Sequence, residues 1–270
     1  MSSWTSATDG VMSMNTYLLA HKTRQDIANS PPDLLVVPVG ALEQHGPHLP
    51  VGTDTLHVET VAIRAAATAS EIDVVVAPAV AYGCSDHHLP FGGTLSLSTA
   101  TLLGVLRDVI RTAAASRFVR VFLLNGHGGN HEHVQIAARD GAQEFGVAVG
   151  AGSWWAMAQK AMIDSGGTDG VLLPGHAGGF ETAVVASILG RPIEDLPGPS
   201  VSFGVTDPRN PKATFRTENP DGWSDSEGYT DDPGLLDIET GRRLLDVAVE
   251  TVAADFVRFV NDTPLKGTGA

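Results

Sequence analysis

"LLVVPVGALEQHGPHLPVGTDTLH", residues 34–57, begins as a buried strand and ends as something else. The opening run, Leu34 to Gly40, is short, apolar and rich in valine, as strands covered on both faces tend to be. Beyond it, prolines and glycines turn the chain while Glu43, His45, His48, Asp54 and His57 accumulate. A turn needs the glycines and prolines. It does not need so many metal-ligating side chains.

The same strand signature returns in "DVVVAPAV" (73–80), "VRVFLLNG" (119–126) and "GVAVGAG" (146–152). Helical patterns fill the intervals at about 54–69, at about 98–115 behind the cap candidates Ser98 and Thr99, and at about 131–145 behind Asn130. A further helix is expected from Phe180 to Leu189, ended by Gly190 and Pro192. The last strong element is the striped helix "LLDIETGRRLLDVAVETVAADFVRFV". Strands alternating with helices imply βαβ units. The fold class expected is a three-layer α/β structure, a mostly parallel central sheet with helices on both faces. Residues 192–234, rich in Pro, Gly, Asp and Ser, read as a long irregular excursion walling a site or an interface. With no repeat and no linker, residues 1–270 are expected to form a single domain.

Bulk properties exclude several function classes. The chain has 270 residues, 43% hydrophobic and 18% charged, enough to bury a substantial core. A formal net charge of −14 argues against nucleic acid as partner. Cys84 is the only cysteine, which excludes an intramolecular disulfide and a thiolate zinc site. The first residues lack a signal-peptide pattern, and no stretch approaches the roughly 20 apolar residues that span a bilayer. The chain reads as soluble and intracellular.

Histidine carries most of the information. Apart from His21, the histidines fall at 45/48/57, 87/88, 127/131/133 and 176. In an open parallel sheet, ligands collect beyond the carboxyl ends of the strands, where Glu43, His45 and His127 should all lie. Glu43 and His45 are two apart, so in extended chain they project to one side. The glycines and prolines that follow can bring Asp54 back towards them. Glu, His and Asp together favour Zn, Mn or Fe over Ca or Mg, and a carboxylate such as Asp54 has two oxygens with which to bridge a pair of ions. The plainer alternatives are Asp54 as a helix N-cap and Glu43 as a solvated loop acid. The clustering at a strand end favours the metal reading.

In "NGHGGNHEH", His127 leaves the strand directly, whereas His131 and His133 belong to the following helix and read as surface or packing residues. Gly128 and Gly129 permit close backbone approach, which also fits an anion cradle, although no Gly-Lys-Ser/Thr follows. His176 and Glu181 can converge only if His176 precedes its helix and Gly178-Gly179 turn the chain into it. Glu181 otherwise reads as an acid suited to the first helical turn. "SDHHLPFGGTLSLST" (85–99) overhangs the same edge; it is either an ordinary Gly-rich connection or a pocket wall built from His87 or His88, Gly92, Gly93 and Thr94.

The motifs "GALEQHGPHLPVGTD", "GTLSL", "NGHGGN" and "HAGGFET", in this order across roughly residues 37–185, resemble the creatininase family of metal-dependent amidohydrolases. The resemblance implies two divalent ions per chain (Zn, Mn or Fe), held by Glu43, His45, Asp54, His127 and Glu181 with Asp54 as the bridge. It implies His176 as a proton donor and Glu181 as a second acid at the metals. Substrate contacts fall to His88, Thr94, Gly128 and Gly129. It further implies hydrolysis of an amide or lactam C–N bond in a small molecule or short peptide, by a cytoplasmic homo-oligomer, often a hexamer, with no nucleic acid or membrane partner. Creatinine-cleaving members carry Glu at the position of Gly129, a departure that turns the reading away from creatinine itself. A peptidase of the mycofactocin-precursor type is the alternative within the family. Outside it stand a non-catalytic small-molecule-binding protein using the same cleft, and a phosphate-dependent enzyme using the NGHGGN loop.

Overall fold

The computed structural model describes residues 15–198 and 227–264. Within them a short helix α1 (Arg24–Asn29) leads into β1 (Leu34–Val39). There follow α2 (Thr53–Thr68), β2 (Val74–Val76), α3 (Thr99–Ala115), β3 (Arg120–Asn125), α4 (His131–Phe145) and β4 (Ala148–Ser153). Three further helices complete the described chain: α5 (Trp154–Asp164), α6 (Gly179–Leu189) and α7 (Ile238–Asp262). The strands form a parallel sheet in the order β2-β1-β3-β4, with Val36 beside Val76 on one side and Phe122 on the other.

The period of two along each strand divides the core into layers. Leu34 and Val36 of β1, with Phe122 and Leu124 of β3, point to one face and meet α2, α5, α6 and α7 through residues such as Val58, Met162, Val184 and Phe256. Leu35, Val37 and Val39, with Val121 and Leu123, point to the other and meet α3 and α4 through Leu102, Leu106, Ile110 and Val134. All of β1 and β3 is buried, which is why both read as continuous apolar runs. This is the three-layer α/β arrangement expected. Among the described residues no helix is long and apolar enough to cross a membrane.

Local signals act as their chemistry requires. Ser98 caps α3 by accepting from the Thr101 N–H, and Asp237 caps α7 by accepting from Thr240. Gly190 ends α6 in the left-handed conformation. The capping alternative for Asp54 does not hold, because Gly52 occupies the N-cap of α2 and Asp54 lies in its first turn. Three differences from the sequence expectation concern lengths and omissions. β2 shrinks to Val74–Val76, with only an isolated bridge from Val80 back to Val39. α5 follows β4 without a connecting residue, and neither α5 nor α1 is among the helices the sequence predicts. Of the irregular segment 192–234, residues 192–198 and 227–234 carry neither helix nor strand, and 199–226 lie outside the described residues.

From β1 the chain crosses to β2 on one side, then returns to β3 on the other. The loops after β1 and β3 therefore part at a topological switch point, where an open parallel sheet leaves a crevice.

Candidate metal centre

Close contact at the strand exits brings the acid of α2 into this crevice. A Cβ at Gly126, the residue after β3, would lie 2.7 Å from the Asp54 carbonyl oxygen and 2.7 Å from Val58 Cβ. Only glycine lets the β3 exit pass so near the first turn of α2, and Asp54 is thereby held between the two loops. On α6, the turn through Gly178 starts the helix at Gly179, so His176 stands ahead of it and Glu181 in its first turn. Glu181 Oε2 accepts from the Ala177 N–H at 2.6 Å. That is the convergence the sequence required.

Glu43, His45, Asp54, His127, His176 and Glu181 are all buried. His127 Nδ1 lies 3.1 Å from Glu43 Oε1 and 3.2 Å from Asp54 Oδ2. His45 Nε2 lies 3.4 Å from Asp54 Oδ1 and 3.7 Å from Glu181 Oε2. Glu43, His45 and Asp54 offer ligand atoms within 4.8 Å of one another, and so do His45, His176 and Glu181. Glu43 forms two more such groups, with His88 and His176 and with His87 and His127. Both Glu43 oxygens, His45 Nε2 and Asp54 Oδ2 are buried without a hydrogen-bond partner among the described residues. Leaving such atoms unsatisfied costs about 1–3 kcal/mol each, more for charged groups. Cations at this position satisfy them together, so the residues present fit the metal centre that the donor chemistry implies.

Electrostatics repeats the point. Burial disfavours charge on His45, yet Asp54 beside it, with Glu181 and Glu43, raises its pKa to about 10. His127 is raised well above the usual range against the same burial, by Glu43 and Asp54. Asp54 is held well below the usual range against its own burial, chiefly by His45 and His127. Burial raises Glu181 to about 7. Without ions, protons on two imidazoles supply the positive charge that the buried carboxylates demand.

The ring orientations are set from behind. His127 Nε2 donates to the Cys84 carbonyl at 3.0 Å, which turns Nδ1 towards Glu43 and Asp54. His45 Nδ1 donates to the Glu43 carbonyl at 3.1 Å, which turns Nε2 towards Asp54 and Glu181. Asn130 holds this arrangement, accepting from the Cys84 N–H at 2.9 Å and donating to the Gly40 carbonyl at 3.0 Å. Asn125 steadies His127 by accepting from its N–H and donating to its carbonyl. Sequence reasoning named none of these partners; the only available signal was the placing of Asn125 and Asn130 on either side of His127.

The remaining candidates divide. His48 donates to or accepts from Thr182 Oγ1 at 3.1 Å, and His57 packs edge-on against Trp154; among the described residues neither joins a metal-capable group. His131 bonds Ser153 Oγ and His133 bonds Thr99 Oγ1, in keeping with packing roles. Of the pocket candidates, His88 is buried with its Nε2 3.6 Å from Glu43 Oε1. Thr94 Oγ1 accepts from the Gln44 N–H at 3.0 Å, and Gly128 is exposed at the start of a single 3-10 turn. At Gly129, a Cβ would fall on the Cys84 carbonyl oxygen and His127 Nε2. The glycine there is what lets the His127 anchor form, and no acidic side chain fits this arrangement.

The family model "Creatininase: Creatinine amidohydrolase" matches residues 20–256. A mycofactocin precursor peptide peptidase of Mycolicibacterium smegmatis is 44% identical over 107 residues, 38% of this chain and 43% of that protein. The chain thus matches under half the length of that curated relative. A creatinine amidohydrolase of Pseudomonas putida is 31% identical over 243 residues, covering 82% of this chain and 87% of its own. A crystal structure of creatinine amidohydrolase superposes with a TM-score of 0.75 at 25% identity, over 92% of this chain and 99% of that one.

Proposed function

The chain belongs to the creatininase family, and from that premise we propose that it is a metal-dependent amidohydrolase cleaving an amide or lactam-type C–N bond at a two-metal site. One observation carries this reading. The two oxygens of Asp54 face different histidines, Oδ2 towards His127 and Oδ1 towards His45. A carboxylate with one oxygen turned to each side is suited to bridging a pair of cations. Glu43 accompanies His127 on one side, and Glu181 accompanies His45 on the other. Glu43, Asp54 and His127 are assigned to one divalent ion, and His45, Asp54 and Glu181 to its neighbour. Nitrogen and carboxylate donors of this kind suit Zn, Mn or Fe.

Bound ions supply the Lewis acidity that activates water and polarises a scissile carbonyl. The chain's own residues do the rest. His176, with its ring centroid 4.3 Å from that of His45 and its Nδ1 3.6 Å from Glu43 Oε1, is placed to carry a proton to the departing nitrogen. Glu181 is both ligand and neighbouring acid. His88, Thr94, Gly128 and Gly129 are assigned to the substrate side, with His88 and Thr94 acting through the wall they build.

The substrate is a small amide or a short peptide. The local identity to the mycofactocin precursor peptidase supports the peptide, and the longer match to the creatinine amidohydrolase supports the small amide. A purely binding role does not account for so many buried ligand atoms without partners. A phosphate cradle on the NGHGGN loop does not account for the carboxylate oxygens of Glu43 and Asp54, which are buried without a partner among the described residues. One domain over residues 1–270, a homo-oligomer such as a hexamer, and a cytoplasmic location complete the proposal on family grounds. Elemental analysis should find about two transition-metal ions per chain. Amides, lactams and short peptides, tested on wild type and on Asp54→Asn, then check the bridge: full turnover by a variant that binds metal normally would remove it.

A further inference from the structure

Residues 228–231 form a short strap that runs from the loop after β1 to the turn before α6. A Cβ at Gly228, whose φ is +86°, would fall on Gln44 Oε1. Tyr229 is buried, its ring edge-on to His48. Thr230 and His176 are then joined twice. The Thr230 N–H donates to the His176 carbonyl at 2.9 Å, and the His176 N–H donates to Thr230 Oγ1 at 2.9 Å.

Asp231 makes the closest approach to the turn. Its Oδ1 accepts from Thr230 Oγ1 at 2.9 Å and occupies the place a Gly178 Cβ would need. Its Oδ2 accepts from the Leu172 N–H at 3.1 Å, and the carboxylate also accepts from the Gly179 N–H. The first N–H groups of a helix have no partner within it, and a carboxylate suits them. Asp231 therefore ties the approach to the turn, at Leu172, to the first residue of α6.

Inside this turn is Ala177, at φ +49°, in the left-handed region that residues other than glycine seldom enter. Such a conformation persists only where its surroundings enforce it. Here the Ala177 N–H donates to Glu181 Oε2 at 2.6 Å, and Oε2 is the atom that faces His45 Nε2. The bonds from Thr230 and Asp231 end at His176 and Gly179, on either side of Ala177.

We propose that Asp231 is a positioning residue for the His45–Glu181 half of the centre. Acting directly on Gly179, and through Thr230 on His176, it keeps Ala177 left-handed and so fixes the aim of Glu181. The inference rests on the two-metal reading. Glu43, Asp54 and His127 are set from other segments, so disturbing Asp231 loosens one ion and spares the other.

Titration calorimetry of Mn²⁺ into metal-free wild type and Asp231→Ala reads this. The variant should hold one ion with wild-type affinity and the other about 10–100-fold more weakly, the scale of losing an outer partner of a ligand. Its kcat should fall at limiting Mn²⁺ and recover at saturating Mn²⁺, with KM little changed. Equal weakening of both ions, or of neither, in a folded variant overturns the proposal. Should Asp231→Ala fail to fold, Thr230→Val is expected to show the same one-sided loss on a smaller scale, and unchanged affinities there overturn it. Wild-type protein that binds no Mn²⁺ sinks the two-metal reading instead. Crystal structures of the folded variants then decide the positioning role. Ala177 relaxed and parted from Glu181 upholds it, and Ala177 still left-handed on Glu181 Oε2 overturns it.

Discussion

His45 and His48 sit three residues apart in one loop and have opposite fates. Burial works against charge on both. At His45 the facing carboxylates Asp54, Glu181 and Glu43 overcome it and raise the pKa to about 10. At His48 no carboxylate among the described residues answers, and burial lowers the pKa to about 4. His57, one turn along α2 from Asp54, also falls to about 4, because burial outweighs the pull of that carboxylate. Membership of a sequence cluster therefore does not make a ligand. What separates His45 from the other two is the number of carboxylates that converge on its ring.

The harshest way to test the contrast is to remove the anion shared by both metal-facing rings. Asp54→Ala should lose most bound metal and at least about 10³-fold in turnover, since it deletes the bridge assigned to both ions. Metal analysis and steady-state kinetics check it, and normal metal content would break the comparison. Gly129→Ala leaves every ligand in place but pushes a methyl group onto the His127 anchor. It should weaken metal affinity about 10–100-fold, the usual result of disturbing an outer partner, as measured by competition with a chelator.

A gentler probe is pH. Below pH about 10 the metal-free His45 carries a proton that an ion must displace, whereas His48 is already neutral above about 4. Apparent metal affinity should rise with pH across the neutral and mildly alkaline range, by about tenfold per pH unit for each proton released. Calorimetry in buffers of different ionisation enthalpy counts those protons. For the metal-free fold the sign reverses. The stabilising charge on His45 is fully present below pH 6.5, its ordinary value, and is lost as pH rises through 10. The smallest effect belongs to His48→Leu, which removes the bond to Thr182. It should cost about 0.5–1.5 kcal/mol in denaturant unfolding and leave metal content unchanged.

Much of this architecture could be read in advance because its signals are local. β1 and β3 are buried on both faces and advertise it with unbroken apolar runs, and Glu43, His45 and His127 follow their carboxyl ends directly. α5 escaped because it begins at the residue after β4, with no glycine, proline or side-chain cap at Ser153 to mark the change of period. Asp231 and Asn130 escaped for another reason. Asn130 stands where a helix cap would, yet makes no cap bond and spends its amide on Cys84 and Gly40. Such roles depend on which segments meet, and spacing along the chain does not report that.

Three imidazoles, those of His45, His127 and His176, lean on main-chain carbonyls, of Glu43, Cys84 and Gln44 respectively. Every amino acid brings the same oxygen, so the course of the backbone sets the aim of these rings, whatever residue occupies the supporting position. The thiol of Cys84 is thus free to drift over evolutionary time while its peptide group keeps its duty. Relatives with unrelated residues at that site can hold the corresponding ring at the same angle, and an alignment of their letters would give no sign of it.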